Sequence, residues 1–390
     1  MIPVSLRRGA SRAGCSGVGI GAGRSRPGVR PGWEQCHPGA KRRQTFSKMI
    51  STLGSDAMTR RATIHDVAAA AGVSVATVSK AVNGRYGVAP ETVGRVLDAV
   101  RALGYESSLV ASSMRSRRTG VIGVLVADIE PFSAEILKGV GGALSDTGYD
   151  LLAYTGARRD GEGWERRSLS RLSGTLIDAA ILVTPTVVNV AAEVPIVAID
   201  PHTGRADLPT VESDSFTGAQ QAVHHLVQLG HRRIGFIAGR PDLRSAVARA
   251  SGYREALSAA GIPFDPALVG QGHYEQDVAR EAAQAMLALP DPPTAVFAAN
   301  DLSALSIVEV AAARGLRVPD DLSVVGFDDV PEAARAQPPL TTVRQPMKIL
   351  GAEAVRMVLA LLAGEELPET HLQLATRLVA RGTTAPPPVR

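Results

Sequence analysis

The 390-residue sequence predicts a small all-α helix-turn-helix domain followed by a larger α/β domain. Three observations predict this. Residues 63–103 carry apolar positions at helical spacing in three short segments. From Gly120 onward, apolar runs alternate with helical stretches, the pattern of βαβ repetition. The charge also divides along the chain. Residues 1–57 hold 10 Lys or Arg against 2 Asp or Glu, residues 58–118 hold 9 against 4, and residues 119–390 hold 23 against 32. A basic module on an acidic body fits a nucleic-acid reader with a sensor attached.

Thr63 is placed to cap the first helix, with Asp66 in the first turn where a carboxylate suits the helix dipole. Ile64, Val67, Ala68 and Ala71 fall on one face. Gly72 stops the helix by accepting a left-handed backbone. Ser74 caps the second helix, Val75 to Val82, and Asn83-Gly84 is a turn dipeptide. Pro90 opens a third helix to Leu103, with Val93, Val96, Leu97 and Val100 inward. Two short helices joined by three residues bury little alone, and their common use is to set the start of the second in a major groove. Val75, Ala76 and Lys80 are the exposed positions expected there. The first two suit a thymine methyl; Lys80 suits guanine or a phosphate. The alternative is a helical bundle that binds no nucleic acid.

The run from Ala62 to Gly84, ATIHDVAAAAGVSVATVSKAVNG, resembles the headpiece of the LacI/GalR repressors. The resemblance implies a sequence-specific DNA-binding regulator, most simply a repressor. It extends DNA contact from Val75, Ala76 and Lys80 to Thr63, Ser74, Thr77, Ser79, Asn83 and Tyr105. It also implies a hinge helix over residues 107–119 that folds on specific DNA and opens a minor-groove step with an apolar wedge. Gly104, Tyr105 and Ala111 match that pattern. Ser107 and Ser108 replace its Pro and Asn, Ser112 replaces its Arg, and Met114 stands where Leu is usual. Met still serves as a wedge, with Arg115 near phosphates. A plain linker is the alternative.

Residues 1–57 have no apolar period and are rich in Gly, Arg, Pro and Ser, so they are expected to lack a core. They read as a disordered extension upstream of a start at Met58, with Met49 as a second candidate start. An organelle transit peptide and a DNA-binding arm are the other readings.

In the body, strands are expected at Val121–Ala127, Tyr149–Thr155, Ala179–Val183, Ile196–Ile199, Ile234–Ala238, Ala295–Ala298 and Val324–Phe327. Helices are expected at Ser133–Thr147, Phe216–Gly230, Ser245–Ala260, Ala279–Ala288 and Leu302–Arg314, with Gly148, Gly230, Gly261 and Gly315 as stops. The runs IGVLVADIEPF (122–132), LGHRRIGFIAG (229–239), TAVFAANDLSA (294–304) and VPDDLSVVGFDD (318–329) resemble the same family's type I periplasmic-binding-protein-like sensor. That likeness implies two Rossmann-like lobes joined by three crossovers. The domains expected are therefore the extension at 1–57, the helix-turn-helix at 58–106, the hinge at 107–119, and the two-lobed effector-binding and dimerisation domain at 120–384. The first lobe takes about 120–215 plus 345–368 and the second about 216–340 plus 369–384, with Leu340–Gln345 as the third crossing.

No nucleophile–base constellation is legible, so no enzyme activity is expected. The only cysteines, Cys15 and Cys36, precede the headpiece, so no metal or disulfide framework is expected. No cofactor is called for. A cysteine-free body suits a reducing cytoplasm, and no apolar run reaches the roughly 18 residues of a membrane helix. Parallel sheets hold ligands at the carboxyl ends of their strands. Family positions carry over to Arg249, Asn300 and Asp328, which would bracket a sugar or other polyol, with Phe132 to stack on its face. Asp128 and Asp200, also at strand ends, are weaker candidates. For Arg249 and Asp328 the alternative is an interlobe ion pair; for Phe132 it is lobe packing. The expected partners are double-stranded operator DNA, a small-molecule effector and a second copy of the chain, without a membrane. An exported solute-binding protein and an α/β enzyme are the rival functions.

Overall fold

A computed structural model describes residues 62–82, 87–105, 118–156, 163–186, 193–202 and 208–388. The extension at 1–57, Asn83, and most of the hinge with Ala111, Met114 and Arg115 lie outside the described residues. The chain divides into two units, one ending at Tyr105 and the other beginning at Glu106.

In the first unit, α1 (Ile64–Ala71), α2 (Val75–Val82) and α3 (Pro90–Leu103) coincide with the helices read from the sequence. Their ends are set locally. Thr63 and Asp66 form a capping box: the Thr63 N–H donates to Asp66 Oδ2 at 2.7 Å, and the Asp66 N–H donates to Thr63 Oγ1 at 3.4 Å. Gly72 ends α1 in the left-handed region at φ 65°. The Ser74 hydroxyl accepts from the Thr77 N–H at 3.1 Å. Val67, Val78 and Val96 are fully buried where the three helices meet. Two expected positions differ. Leu97 is 41% exposed, and Ala99 is buried in the three-helix core in its place. Val75, expected to be exposed, is half-buried against the same core.

The second unit holds two six-stranded sheets. The first contains β1 (Val121–Val126), β2 (Asp150–Thr155), β3 (Ala179–Val183), β4 (Ile196–Ile199), β5 (Thr210–Ser213) and β11 (His371–Leu374). Its order is β11-β5-β4-β3-β1-β2, all parallel. The second contains β6 (Ile234–Ala238), β7 (Val269–Gln271), β8 (Ala295–Ala298), β9 (Ser323–Asp328), β10 (Thr341–Arg344) and β12 (Arg377–Val379). Its order is β12-β10-β9-β8-β6-β7, with only β12 antiparallel. The helices are α4 (Pro131–Leu144), α5 (Trp164–Leu172), α6 (Ser215–Gln228), α7 (Arg244–Ala259), α8 (Gln276–Leu287), α9 (Asp301–Ala313), α10 (Pro331–Arg335) and α11 (Met347–Ala363). Strands β1, β3, β4, β6 and β8 are buried along their whole length. That is the environment of a parallel sheet covered on both faces, and it explains their unbroken apolar runs.

The crossovers correct the expected lobe limits. The chain leaves the first sheet at Asp214, returns at Gln345–Pro346 and leaves again at Ala375–Thr376. A boundary at 368/369 would cut β11 away from its partner: His371–Leu374 pairs in parallel with Thr210–Ser213. The segment 340–345 is likewise not a free crossing, since Thr341–Arg344 forms β10 beside β9.

Helices α4 and α11 pack closely through two glycines. A Cβ on Gly139 would lie 2.1 Å from the Lys348 carbonyl oxygen, and one on Gly351 would lie 2.5 Å from that of Ile136. Both obstacles are backbone, so the helices must part to admit a methyl. Gly139→Ala should therefore destabilise the body by about 1–3 kcal/mol. Urea unfolding checks this; an unchanged midpoint would refute the close contact.

Candidate DNA-reading surface and ligand cleft

Ser74, just before α2, and Ala76 and Lys80 on it are exposed, with Val75, Thr77 and Ser79 half-buried beside them. Two of the residues expected at DNA have structural tasks within the module. The Thr63 hydroxyl donates to Asp66, and Ser74 holds the first turn of α2 through Thr77. Tyr105 packs against the module's core. This leaves Ala76 and Lys80 as the outward pair one turn apart on the second helix.

In the body, three of the expected ligand residues converge at the carboxyl ends of the second sheet. Arg249, on α7, is buried. Its Nη1 donates to the Ala299 carbonyl, and its Nε donates to Ser215 Oγ at 3.3 Å. Nη1 also lies 3.7 Å from Asp328 Oδ1. The guanidinium stacks on Phe327, 3.8 Å from the ring centroid, and Tyr274 flanks it at 5.7 Å. The Arg249–Asp328 pair thus lies within the second lobe rather than between lobes. Asn300 is buried at the end of β8, where its Oδ1 caps α9 through the Ser303 N–H at 3.0 Å.

Asp328 ends β9 with φ 122°, outside the range most side chains accept. The Gln345 side chain donates to its Oδ1 at 2.6 Å. Burial pushes the Asp328 carboxyl up to about 7; Arg249 and Gln345 oppose this, while Glu130 and Asp200 reinforce it. Asp200, expected as a weaker candidate, faces the same cluster from the end of β4. Burial pushes it up to about 6, against the Ser213 N–H and Arg249. Asp301 is fully buried and binds the Val330 N–H and the Thr342 hydroxyl, which fixes the loop after β9. Asp329 is clamped by Arg344 and Arg381.

The first lobe's expected residues sit differently. Asp128 is exposed, and its carboxylate accepts from the Ile129 N–H at 2.8 Å. Phe132 is half-buried against the core cluster that joins Val124 and Ile136 of the first lobe to Val330 of the second. Glu130 caps α4 through the Phe132 and Ser133 N–H groups.

Ser215, Tyr274 and Gln345 join the cluster without having been singled out from the sequence. Gln345 lay in a stretch read only as a crossing. Tyr274 follows a short strand with no apolar signature, and its ring fills the space over Gly239, where a Cβ would meet it at 2.3 Å. His231 is structural: its ring bonds Thr294, Ser323 and the Ala385 carbonyl, tying the C-terminal segment to the second sheet. Among the described residues no group of three His, Cys, Asp or Glu is placed to hold a metal ion, and no helix is long and apolar enough to cross a membrane.

Comparison with known proteins bears on both regions. Residues 63–108 match the model of bacterial regulatory proteins, lacI family, and residues 223–384 match a periplasmic binding protein-like domain. The HTH-type transcriptional regulator CelR of Thermobifida fusca is 37% identical over 337 residues, covering 83% of this chain and 98% of its own length. The HTH-type transcriptional repressor CytR of Escherichia coli (strain K12) is 34% identical over 330 residues, covering 83% and 96%. Among solved structures, a CelR–cellobiose complex aligns with TM-score 0.63 at 37% identity, over 83% of this chain and 100% of that one. A lac repressor dimer bound to operator and the anti-inducer ONPF aligns with TM-score 0.73 at 27% identity, over 84% and 100%.

The raised Asp328 has a consequence for stability. Its folded value of about 7 lies above the ordinary 3.8, so the folded chain holds this proton more tightly than the unfolded chain. Its contribution to stability is full below 3.8 and is lost as pH rises through about 7. Asp328→Asn has no such loss. Relative to the parent, the variant should gain stability progressively between about pH 4 and pH 7, with the difference level above that. Thermal melts of both across that range check the sign; a difference that stays flat or reverses contradicts the buried carboxyl.

Proposed function

We propose how this chain, which belongs to the lacI family of bacterial regulatory proteins, controls transcription. Two copies form a cytoplasmic homodimer. Each supplies one helix-turn-helix domain, residues 58–106, to half of a pseudo-palindromic operator, and the bound dimer obstructs polymerase as a repressor. Ala76 and Lys80 face base edges, with Thr63, Ser74, Val75, Thr77, Ser79, Asn83 and Tyr105 around them. The hinge at 107–119 brings Ala111, Met114 and Arg115 to the minor groove, with Met114 as the wedge.

The effector is a sugar or sugar derivative. The observation that carries this is the Arg249–Asp328 cluster at the strand ends. A buried guanidinium, a carboxyl near neutrality and the Asn300 amide together donate to and accept from adjacent hydroxyls, which suits a polyol. The relative solved with cellobiose supports the class, and the lac repressor dimer solved on operator supports the DNA partner. Asp128 and Phe132 line the first lobe's side of the same cleft. The effector acts through its preference between two lobe arrangements, and a coupling of about 1–3 kcal/mol changes operator affinity several-fold to about a hundredfold. The relatives are regulators rather than enzymes, and the cluster here is assigned to binding.

A footprint on the gene's own upstream region, repeated across a sugar panel, tests the whole reading. Protection of a palindromic site that one sugar alters is the expected result; no preference over bulk DNA would refute it. Lys80→Ala should weaken operator binding by about tenfold or more, with effector affinity unchanged by calorimetry. Arg249→Ala should keep operator binding and lose the response to effector. A normal response from that variant would remove Arg249 from the cleft.

A further inference from the structure

Beside the Arg249 cluster, on the flank of the crossovers, lies a cavity of about 420 Å³. Both lobes build it. Asp200, His202, Glu212 and Ser213 come from the first lobe, and Phe216 and Arg244 from the second. Two of its polar atoms are buried without a protein partner: Ser213 Oγ and His202 Nδ1. Ser213 itself is 5% exposed. Burial holds the His202 ring neutral, with its value pushed down to about 4, so Nδ1 is available to a hydroxyl rather than to an anion. Phe216 lies in the first turn of α6, and 38% of its surface is exposed. An exposed aromatic face beside neutral and acidic hydrogen-bonding groups is the chemistry of a pyranose site, where the ring stacks and its hydroxyls are bonded at the edge. The Arg244–Glu212 pair at 3.4 Å and the Arg244 N–H donating to the His202 carbonyl at 3.1 Å already join the lobes here. Ser215 and Asp200 belong to this cavity and to the Arg249 cluster alike, so the two spaces adjoin.

We propose that this cavity is a second saccharide subsite, in which Phe216 stacks under the outer ring of a two-ring glycoside and His202, Ser213 and Arg244 bind its hydroxyls. It rests on the reading that the Arg249 cluster holds the first ring. The outer ring touches both lobes, so its identity decides how strongly the ligand favours one lobe arrangement.

Calorimetry with the full chain tests this, using glucose with cellobiose and galactose with lactose as paired probes. One disaccharide should bind at least about tenfold more tightly than its monosaccharide, and Phe216→Ala should remove about that factor for the disaccharide alone. Phe216→Tyr should restore it, and Arg244→Gln should weaken the disaccharide selectively. Equal affinity for the two members of every pair, or a Phe216→Ala loss shared by both members, overturns the subsite while leaving the cleft reading in place. A disaccharide preference untouched by both Phe216→Ala and Arg244→Gln also overturns it. Should none of the four sugars bind, the saccharide reading of the cleft fails together with the subsite.

Discussion

The body is arranged around one buried cation. A guanidinium removed from water carries a large desolvation cost, which only nearby acceptors and counter-charge offset. Arg249 meets this cost with the Ala299 carbonyl, the Ser215 hydroxyl, the Asp328 carboxylate and the face of Phe327. These four partners come from three elements: the end of β8, the start of α6 and the end of β9, which supplies both Phe327 and Asp328. The cation therefore fixes where three strand ends and loops meet. The backbone at Asp328 and Asp329 takes positive φ, 122° and 62°, so that both carboxylates face inward. That strain is held by Gln345 on one residue and by Arg344 and Arg381 on the other.

The same region is where the two sheets exchange chain. The Thr376 hydroxyl donates to the Asp214 carbonyl at 3.0 Å, joining the first and third crossovers. Gln345, in the second, donates to Asp328. The crossovers are short segments at the ends of strands and helices, the kind of place where a hinge between two lobe arrangements absorbs backbone change. The buried charge lies beside that hinge. A ligand that satisfies Arg249 and Asp328 in one arrangement better than in the other biases the whole body.

Much of this was legible in the sequence because its signals are local. The three headpiece helices begin and end at Thr63, Gly72, Ser74, Pro90 and Gly104, residues that act within one turn of themselves. Strands such as Ile196–Ile199 were legible because burial on both faces demands an unbroken apolar run. Strands β5, β7, β10, β11 and β12 were not, since TVES, VGQ, TTVR, HLQL and RLV become strands only through partners distant in sequence. Helix α11 is absent from the helices expected above, although Leu350, Gly351, Ala354, Val355 and Val358 follow helical spacing. Arg249, Asn300 and Asp328 were placed by resemblance and meet in space. Ser215, Tyr274 and Gln345 carry no local sign of a site and emerge only when the crossovers are in place.

In this mechanism one conformational equilibrium of the body links sugar and operator. Linkage requires the coupling to be reciprocal: whatever factor the sugar imposes on operator affinity, the operator must impose on sugar affinity. The direct measurement is the sugar's dissociation constant for the protein free of DNA and for the protein saturated with its operator duplex. Two different constants are expected, and their ratio should equal the sugar-induced change in operator affinity. Identical constants, with the sugar bound in both states, would contradict the linkage.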